Sequence, residues 1–302
     1  MFNIVKAAIK KFLIWGAQQA NQELLYEIRA DYLTQQTLTS TSLGISEDHY
    51  CNEDVIVSLT SYGSRLHDVY LSIESIMQGS MKPNKIVLWL SEEYRNKELP
   101  RTLLLQKKRG LEIEFCKDIR SYTKIIPCLK KYPNSTIITI DDDLIYKHDI
   151  VEKLVNAHKE DPLAIHANRI HLIKKKKNGS LDSYMNWAWG KGSNKNPLSL
   201  NFFTGVGGVL YPPHAFSDEV FNENVFLDIC KYADDVWLYC MALLNNTPVK
   251  RVFTHSSKGE DYIVNKNVQE TALLKRNSDG KYCENDTQLH AVIEKYDLMK
   301  LI

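Results

Sequence analysis

Residues Ser135-Thr-Ile-Ile-Thr-Ile-Asp-Asp-Asp-Leu-Ile-Tyr146 decide how the chain is read. The first half, Ser135 to Ile140, is apolar and β-branched, the composition of a buried strand, and it runs directly into Asp141, Asp142 and Asp143. Three adjacent carboxylates at the end of such a strand repel one another, and the arrangement is costly unless a cation, backbone amides or water neutralises it. A divalent ion is the economical explanation. Mg²⁺ and Mn²⁺ prefer oxygen ligands and are held by one or two carboxylates together with substrate phosphates. The competing structural reading is a turn whose Asp side chains bond local backbone donors.

Working upstream, the pattern is βα repeated. Val55-Ile-Val-Ser-Leu59 reads as a buried strand ended by Thr60-Ser-Tyr-Gly63, and Val69 to Met77 follows as a packed helix. Lys85 to Leu90 begins a second unit with a charged helical stretch to Arg109. Leu111 to Cys116 alternates like a half-exposed strand, and a short helix is expected over Ile125 to Lys131. Strands alternating with helices predict a mostly parallel, Rossmann-like α/β sheet covered on both faces, with ligands bound beyond the carboxyl ends of the strands, where the aspartates fall.

Downstream, His148 to His158 reads as a helix and Leu163 to Ile173 as a strand. The run Lys174 to Lys177 with Asn178-Gly179 is read as a solvated turn, a phosphate-binding role being the weaker alternative. Asn201 to Pro213 sets three glycines among large apolar residues, which suits tight turns or close approach of backbone to a ligand; no Lys-Ser/Thr follows, so it is no phosphate loop. A second acidic pair, Asp234 and Asp235, opens the apolar helix Val236 to Leu244. Such carboxylates either cap the helix or serve as a general base. Asn285-Asp-Thr-Gln288 predicts the start of a closing helix over Thr287 to Leu301.

The chain has 302 residues, 44% hydrophobic and 25% charged, with a formal net charge of +1. That composition suits a soluble globular protein, and the charge balance gives no reason to expect a nucleic-acid partner. Its six cysteines show no C-x-x-C pair, are read as reduced and structural, and lead us to expect a cytoplasmic protein. Residues 1–50 are predicted to be a helical extension. In Phe2 to Trp15 apolar positions recur at helical spacing with Lys6 and Lys10 on the other side, too short and charge-interrupted to span a bilayer. This helix either packs on its own domain or makes a peripheral contact, with the inner face of the membrane or with a second copy.

The succession Thr60-Ser-Tyr-Gly-Ser-Arg65, Tyr122 to Leu129, Ile138 to Tyr146, Gly205-Val-Gly-Gly-Val-Leu-Tyr-Pro212 and Ala233-Asp-Asp-Val-Trp237 resembles bacterial glycosyltransferases of the family-2-like GT-A group, over roughly Val55 to His255. The resemblance implies a GT-A catalytic domain, taken as residues 51–260, and leaves both ends unexplained; the periodicity and capping pattern above make them a helical N-terminal extension and a C-terminal segment, 261–302, with its closing helix. It implies a D-x-D pair, Asp141 and Asp143, binding Mn²⁺ or Mg²⁺, with His255 as a further metal ligand. Thr60 and Arg65 would lie near the nucleotide, Lys124 near the diphosphate, Asp142 near the donor sugar, and Gly207 and Gly208 beside the pocket. Asp235, or Asp234 in its place, would be the base, with Trp237 packed behind it. The partners implied are a nucleotide sugar, UDP-sugar foremost, and a saccharide or lipid-linked acceptor, in surface polysaccharide synthesis.

Two other functions fit parts of the pattern. A haloacid-dehalogenase-like phosphatase also carries a D-x-D after an apolar strand, but on the first strand of its core, whereas three βα units precede it here. A non-catalytic sugar-binding protein could keep the fold, since fold alone does not fix function.

Overall fold

The computed structural model describes residues 2–195, 198–254, 261–265 and 283–302. In chain order the elements are α1 (Phe2–Thr39), β1 (Val55–Thr60), α2 (Val69–Met77), β2 (Lys85–Ser91), α3 (Arg101–Lys107), β3 (Leu111–Cys116), α4 (Ile126–Lys131) and β4 (Thr136–Thr139). Then follow β5 (Leu144–Tyr146), α5 (Ile150–Glu160), β6 (Ile165–Ala167), β7 (Ile170–Leu172), β8 (Asn201–Phe203), β9 (Val209–Tyr211), α6 (Glu223–Ile229) and α7 (Asp234–Leu244). The described elements close with β10 (Val249–Arg251), β11 (Tyr262–Val264) and α8 (Glu284–Tyr296).

A seven-stranded sheet in the order β3-β2-β1-β4-β9-β6-β10 forms the centre. It is parallel except for β9, which runs antiparallel to both neighbours, β4 and β6. This is the expected α/β, Rossmann-like architecture. The period of two along β1 explains its two covered faces. Val55, Val57 and Leu59 join the core under α2 and α5, whereas Ile56 joins the core under α4, α6, α7 and α8. In β2, Ile86, Leu88 and Leu90 divide from Val87 and Trp89 in the same way.

One polar position interrupts β1. Ser58 is fully buried, and its hydroxyl donates to the Lys124 carbonyl at 2.5 Å while accepting from Trp89 Nε1 at 3.0 Å. A hydroxyl in a dry strand is costly unless paired, and here the pairing fixes the backbone of Lys124 against the sheet.

Two expectations change in detail. The stretch Leu163 to Ile173 is not one strand but two, β6 and β7, separated at Asn168, whose buried side chain donates to the Gly207 carbonyl at 2.7 Å. The closing helix starts earlier than Thr287, at Glu284, and its N-cap, Cys283, makes no side-chain cap bond; Gln288 instead accepts from the Tyr232 N–H at 2.9 Å. All six cysteines are free thiols.

Helix α1 lies outside the sheet, and its C-terminal half is docked rather than detached. Leu33 is fully buried against Leu71 and Ile145, and Thr37 donates to Glu74, a fully buried carboxylate that also accepts from Gln106 and pairs with Arg109 at 2.8 Å. Leu33→Ala is therefore expected to destabilise the protein by about 2–5 kcal/mol, read as a lower urea midpoint at unchanged slope. A cost below about 0.5 kcal/mol would show the helix to be dispensable to the fold. Among the described residues no helix is long and apolar enough to cross a membrane.

The segment after residue 260 also reaches the sheet end. β11 pairs antiparallel with β5, directly after the aspartate run, and the Asn265 N–H donates to the Asp143 carbonyl at 2.9 Å. Asp261 anchors this strand through Lys147 and Lys153, at 3.4 and 3.0 Å.

Candidate functional site

From β1 the chain moves outward through β2 to β3, then returns to the other side of β1 as β4. The sheet order thus reverses between β1 and β4, and a crevice at the carboxyl ends of these two strands is where open α/β sheets bind ligands. β1 delivers Thr60, Ser61 and Arg65 to that edge, and β4 delivers Asp141, Asp142 and Asp143.

The side chains of the aspartate run bond across the fold. Asp142, buried, accepts from Ser61 Oγ at 2.7 Å and from Arg65 Nη1 at 2.7 Å. Arg65 also reaches Asp143 at 3.4 Å, and Lys124 Nζ donates to Asp141 Oδ1 at 2.9 Å. The Asp141 N–H donates to the Tyr146 hydroxyl at 2.8 Å, so the last residue of the deciding stretch folds back onto its first acid.

Lys124 joins this cluster to the second. Its ammonium lies 3.3 Å from Asp234 Oδ2 as well as 2.9 Å from Asp141, and only 10% of the side chain is exposed. Asp234 Oδ2 is buried and makes no hydrogen bond, so the Lys124 contact is ionic without hydrogen-bond alignment. Asp234 and Asp235 occupy the first turn of α7, where the helix dipole favours negative charge, but they do not cap it; the N-cap is Ala233, without a side-chain bond. Asp235 Oδ1 instead accepts the Gly205 N–H at 2.9 Å. Two acidic clusters distant in sequence thus meet at one lysine.

The glycines divide their tasks. A Cβ on Gly205 would lie 3.1 Å from both Asp235 Oδ1 and Lys124 Nζ, closer than either atom tolerates comfortably, so the acid and the ammonium sit where only glycine leaves room. Gly207 and Gly208 have φ of 92° and 94°, left-handed conformations that turn the chain into β9. On the Gly208 side the nearest atoms belong to Ile150 and Leu154 of α5.

Burial and mutual repulsion set the charges. Burial raises the Asp142 carboxyl, against Arg65 and Ser61, and burial with Asp141 and Asp142 raises Asp143 to about 6. Burial, then Asp234, push Asp235 well above the usual carboxylate range, opposed by Lys124. Burial disfavours the charged lysine, yet Asp141, Asp234 and Asp235 hold the Lys124 ammonium firmly protonated. Among the described residues, Lys124 and Arg65 are the cations ion-paired to this group of five carboxylates.

This donor set fits Mg²⁺ or Mn²⁺, being all oxygen. Asp141 and Asp143 would supply one or two ligands, leaving the rest to a substrate phosphate. Among the described residues the only three metal-type side chains whose donor atoms lie within 4.8 Å of one another are Cys51, Glu53 and His158, by Thr136 at the opposite, amino end of β4, where His158 and Glu53 already bond at 2.6 Å. His255 lies outside the described residues.

A pH dependence follows from Asp143. Its folded-state value, about 6, lies above the unfolded one near 3.8, so the folded protein holds the proton longer. The metal-free protein should lose on the order of 3 kcal/mol from this group as pH rises from about 4 to about 6. Mn²⁺ should restore stability at pH 7 more than at pH 5. Thermal melts of the protein and of Asp143→Asn, with and without Mn²⁺, test this; an identical pH slope in the variant would remove Asp143 as its source.

Thr60, Arg65, Lys124, the three aspartates and Asp234 and Asp235 thus come from distant segments to one sheet edge. Thr60 spends its hydroxyl on the Trp89 carbonyl, at 2.8 Å. Trp237 is fully buried behind the acid pair, its indole N–H donating to the Val220 carbonyl at 3.2 Å. Sequence reasoning missed Ser61, Tyr146 and Gly205, although each lies within a quoted motif. It also missed Tyr184, within electrostatic reach of Asp235. The Lys174–Lys177 run is a hairpin-like turn closed by the Lys176 N–H to the Ser180 carbonyl, 2.8 Å.

No protein-family model matches the sequence, and no curated protein matches it. Solved structures do. Mannosyltransferase PcManGT from Pyrobaculum calidifontis, in complex with GDP-Man and Mn²⁺, is 14% identical over 50% of this chain, with a TM-score of 0.32. CMP:2-keto-3-deoxy-manno-octonic acid synthetase, complexed with CTP, is 12% identical over 66% of this chain and 90% of its own, with a TM-score of 0.37. The match spans less than half, 44%, of the mannosyltransferase. Likenesses at these levels assign no activity to this chain, so the functional reading rests on the site itself.

Proposed function

We propose that the protein is a divalent-metal-dependent glycosyltransferase of the GT-A type. It moves a sugar from a nucleotide-diphosphate sugar, UDP-sugar foremost, to a hydroxyl of a saccharide or lipid-linked acceptor, with inversion, in surface polysaccharide synthesis. The observation that carries this reading is the meeting of two carboxylate clusters around Lys124 at the switch point of the sheet.

The two clusters suit different tasks. Asp141 and Asp143 would hold Mn²⁺ or Mg²⁺, and when bound the ion neutralises the diphosphate. Arg65 and Thr60 stand at the nucleotide end of the crevice, and Asp142, held by Arg65 and Ser61, faces the donor sugar. Lys124 fixes the separation of the clusters and balances their charge. Gly207 and Gly208 shape the pocket wall. Asp235, with its raised proton affinity and partial exposure, takes the proton from the acceptor hydroxyl, while Asp234 remains paired to Lys124. His255 remains the proposed further metal ligand.

A screen of nucleotide sugars with Mn²⁺ or Mg²⁺, read as release of nucleoside diphosphate, tests the reading, and NMR of the product gives its anomeric configuration. Acceptor-independent release of inorganic phosphate from phosphomonoesters would favour a phosphatase. Binding without turnover under every acceptor would favour a sugar-binding protein. Retention of configuration would overturn the inverting mechanism.

A further inference from the structure

Beside this site, in the turn that precedes β7, Arg169 is a cation with no carboxylate partner among the described residues. Arg65 and Lys124 are both committed to aspartates. Arg169, partly buried in the turn between β6 and β7, has neither an ion pair nor a side-chain hydrogen bond among the described residues. Its backbone is fastened beside the acid pair: the Arg169 carbonyl accepts the Thr204 N–H at 3.1 Å, and the next residue, Gly205, donates to Asp235.

The guanidinium is held against a rigid aromatic wall. It lies 5.9 Å from the centroid of the Trp189 ring. That ring stacks on His171 at 4.7 Å, and its indole N–H donates to the Tyr184 carbonyl at 3.1 Å. His171 accepts the Gly190 N–H on Nδ1 at 3.1 Å, and burial, with Arg169, lowers its pKa to about 3, so it stays neutral beside the guanidinium. Tyr184, 5.2 Å from Trp189, is within electrostatic reach of both Asp235 and Arg169.

A partly buried, unpaired guanidinium is costly, and its planar fork matches the two oxygens of a carboxylate or phosphate. A neutral acceptor needs no such group. An anionic acceptor approaching five carboxylates does need a fixed cation on its own side of the base. We propose that Arg169, backed by Trp189, recognises an oxyanion, a carboxylate or a phosphate, carried by the acceptor. The proposal rests on the transferase reading for the word acceptor, but the anion subsite can be measured without turnover.

Calorimetry with four probes tests it: methyl β-glucoside, methyl β-glucuronide, glucose 6-phosphate and inorganic phosphate, each titrated into the Mg²⁺-loaded protein. The anionic sugars should bind at least about tenfold more tightly than the neutral glucoside, as a charge-assisted bond allows. Arg169→Ala should abolish that difference, and Arg169→Lys should keep part of it. The carboxylate and phosphate arms show which oxyanion is preferred, and binding of inorganic phosphate alone in an Arg169-dependent way would reduce the ligand to the anion itself. Because the contact to Thr204 uses the Arg169 carbonyl, the substitutions leave it in place; Arg169→Gln provides a second variant should Arg169→Ala fold poorly. Equal affinity for neutral and anionic sugars, or a preference that survives in Arg169→Ala, overturns the proposal. A nucleotide-sugar titration separates the two ideas: donor binding without anion preference sinks the subsite alone, and anion preference without donor binding sinks the transferase reading alone.

Discussion

Asp235→Asn should lower turnover on the order of a hundred- to ten-thousand-fold while changing donor affinity by no more than a few-fold. The amide oxygen of Asn can still accept the Gly205 N–H now received by Asp235 at 2.9 Å, so the variant keeps its place and loses only its capacity to take a proton. The raised proton affinity of Asp235 has desolvation as its main cause and Asp234 as the next, and a carboxylate so raised is the stronger base once ionised. Asp234 is the fallback, yet its contact with Lys124 gives it a partner to lose. Steady-state rates for both variants, with donor affinity measured separately, decide between them. Near-normal turnover in both Asp234→Asn and Asp235→Asn would remove this helix start from the chemistry.

Lys124→Met should have the largest effect on stability. Methionine matches the lysine stem in length but leaves Asp141 and Asp234 without their cation, and the Lys124 and Asp234 side chains are only 10% and 9% exposed. Breaking a buried pair from one side costs about 3–5 kcal/mol, because the remaining charge stays desolvated. Urea unfolding at pH 7.5 measures the effect. A variant as stable as the parent would show that Lys124 does not hold the clusters together.

Much of the frame was legible because buried strands announce themselves locally. β1, β2 and β4 are buried, largely apolar runs, and the βα alternation placed the aspartates at the carboxyl end of the sheet. β9 was not legible as the antiparallel strand between β4 and β6: it is three residues long and follows a glycine-rich turn, so no periodicity marks it. Asn168 divides β6 from β7 through a bond to the Gly207 carbonyl, a partner far away in sequence.

The same limit applies to the site. The two acidic clusters were visible as clusters, but their union at Lys124 depends on topology. Ser58, the residue that anchors the Lys124 backbone, reads in sequence as one more position of a buried strand. Helix α1 showed its periodicity plainly, whereas its docking depends on Glu74, which gathers Thr37 of α1, Gln106 of α3 and Arg109 of the turn after α3. Arg169 carried no motif at all; its interest lies in the partner it lacks among the described residues.

Calorimetric titration of a nucleotide-diphosphate sugar in the presence of Mn²⁺, repeated in excess chelator and with Asp143→Asn, tests the central claim most directly. The carboxylate-rich crevice and the anionic diphosphate repel one another unless a cation stands between them. Binding should therefore be present with Mn²⁺, lost in chelator and strongly weakened in Asp143→Asn. Equal affinity with and without chelator, or an unaffected Asp143→Asn, would contradict it.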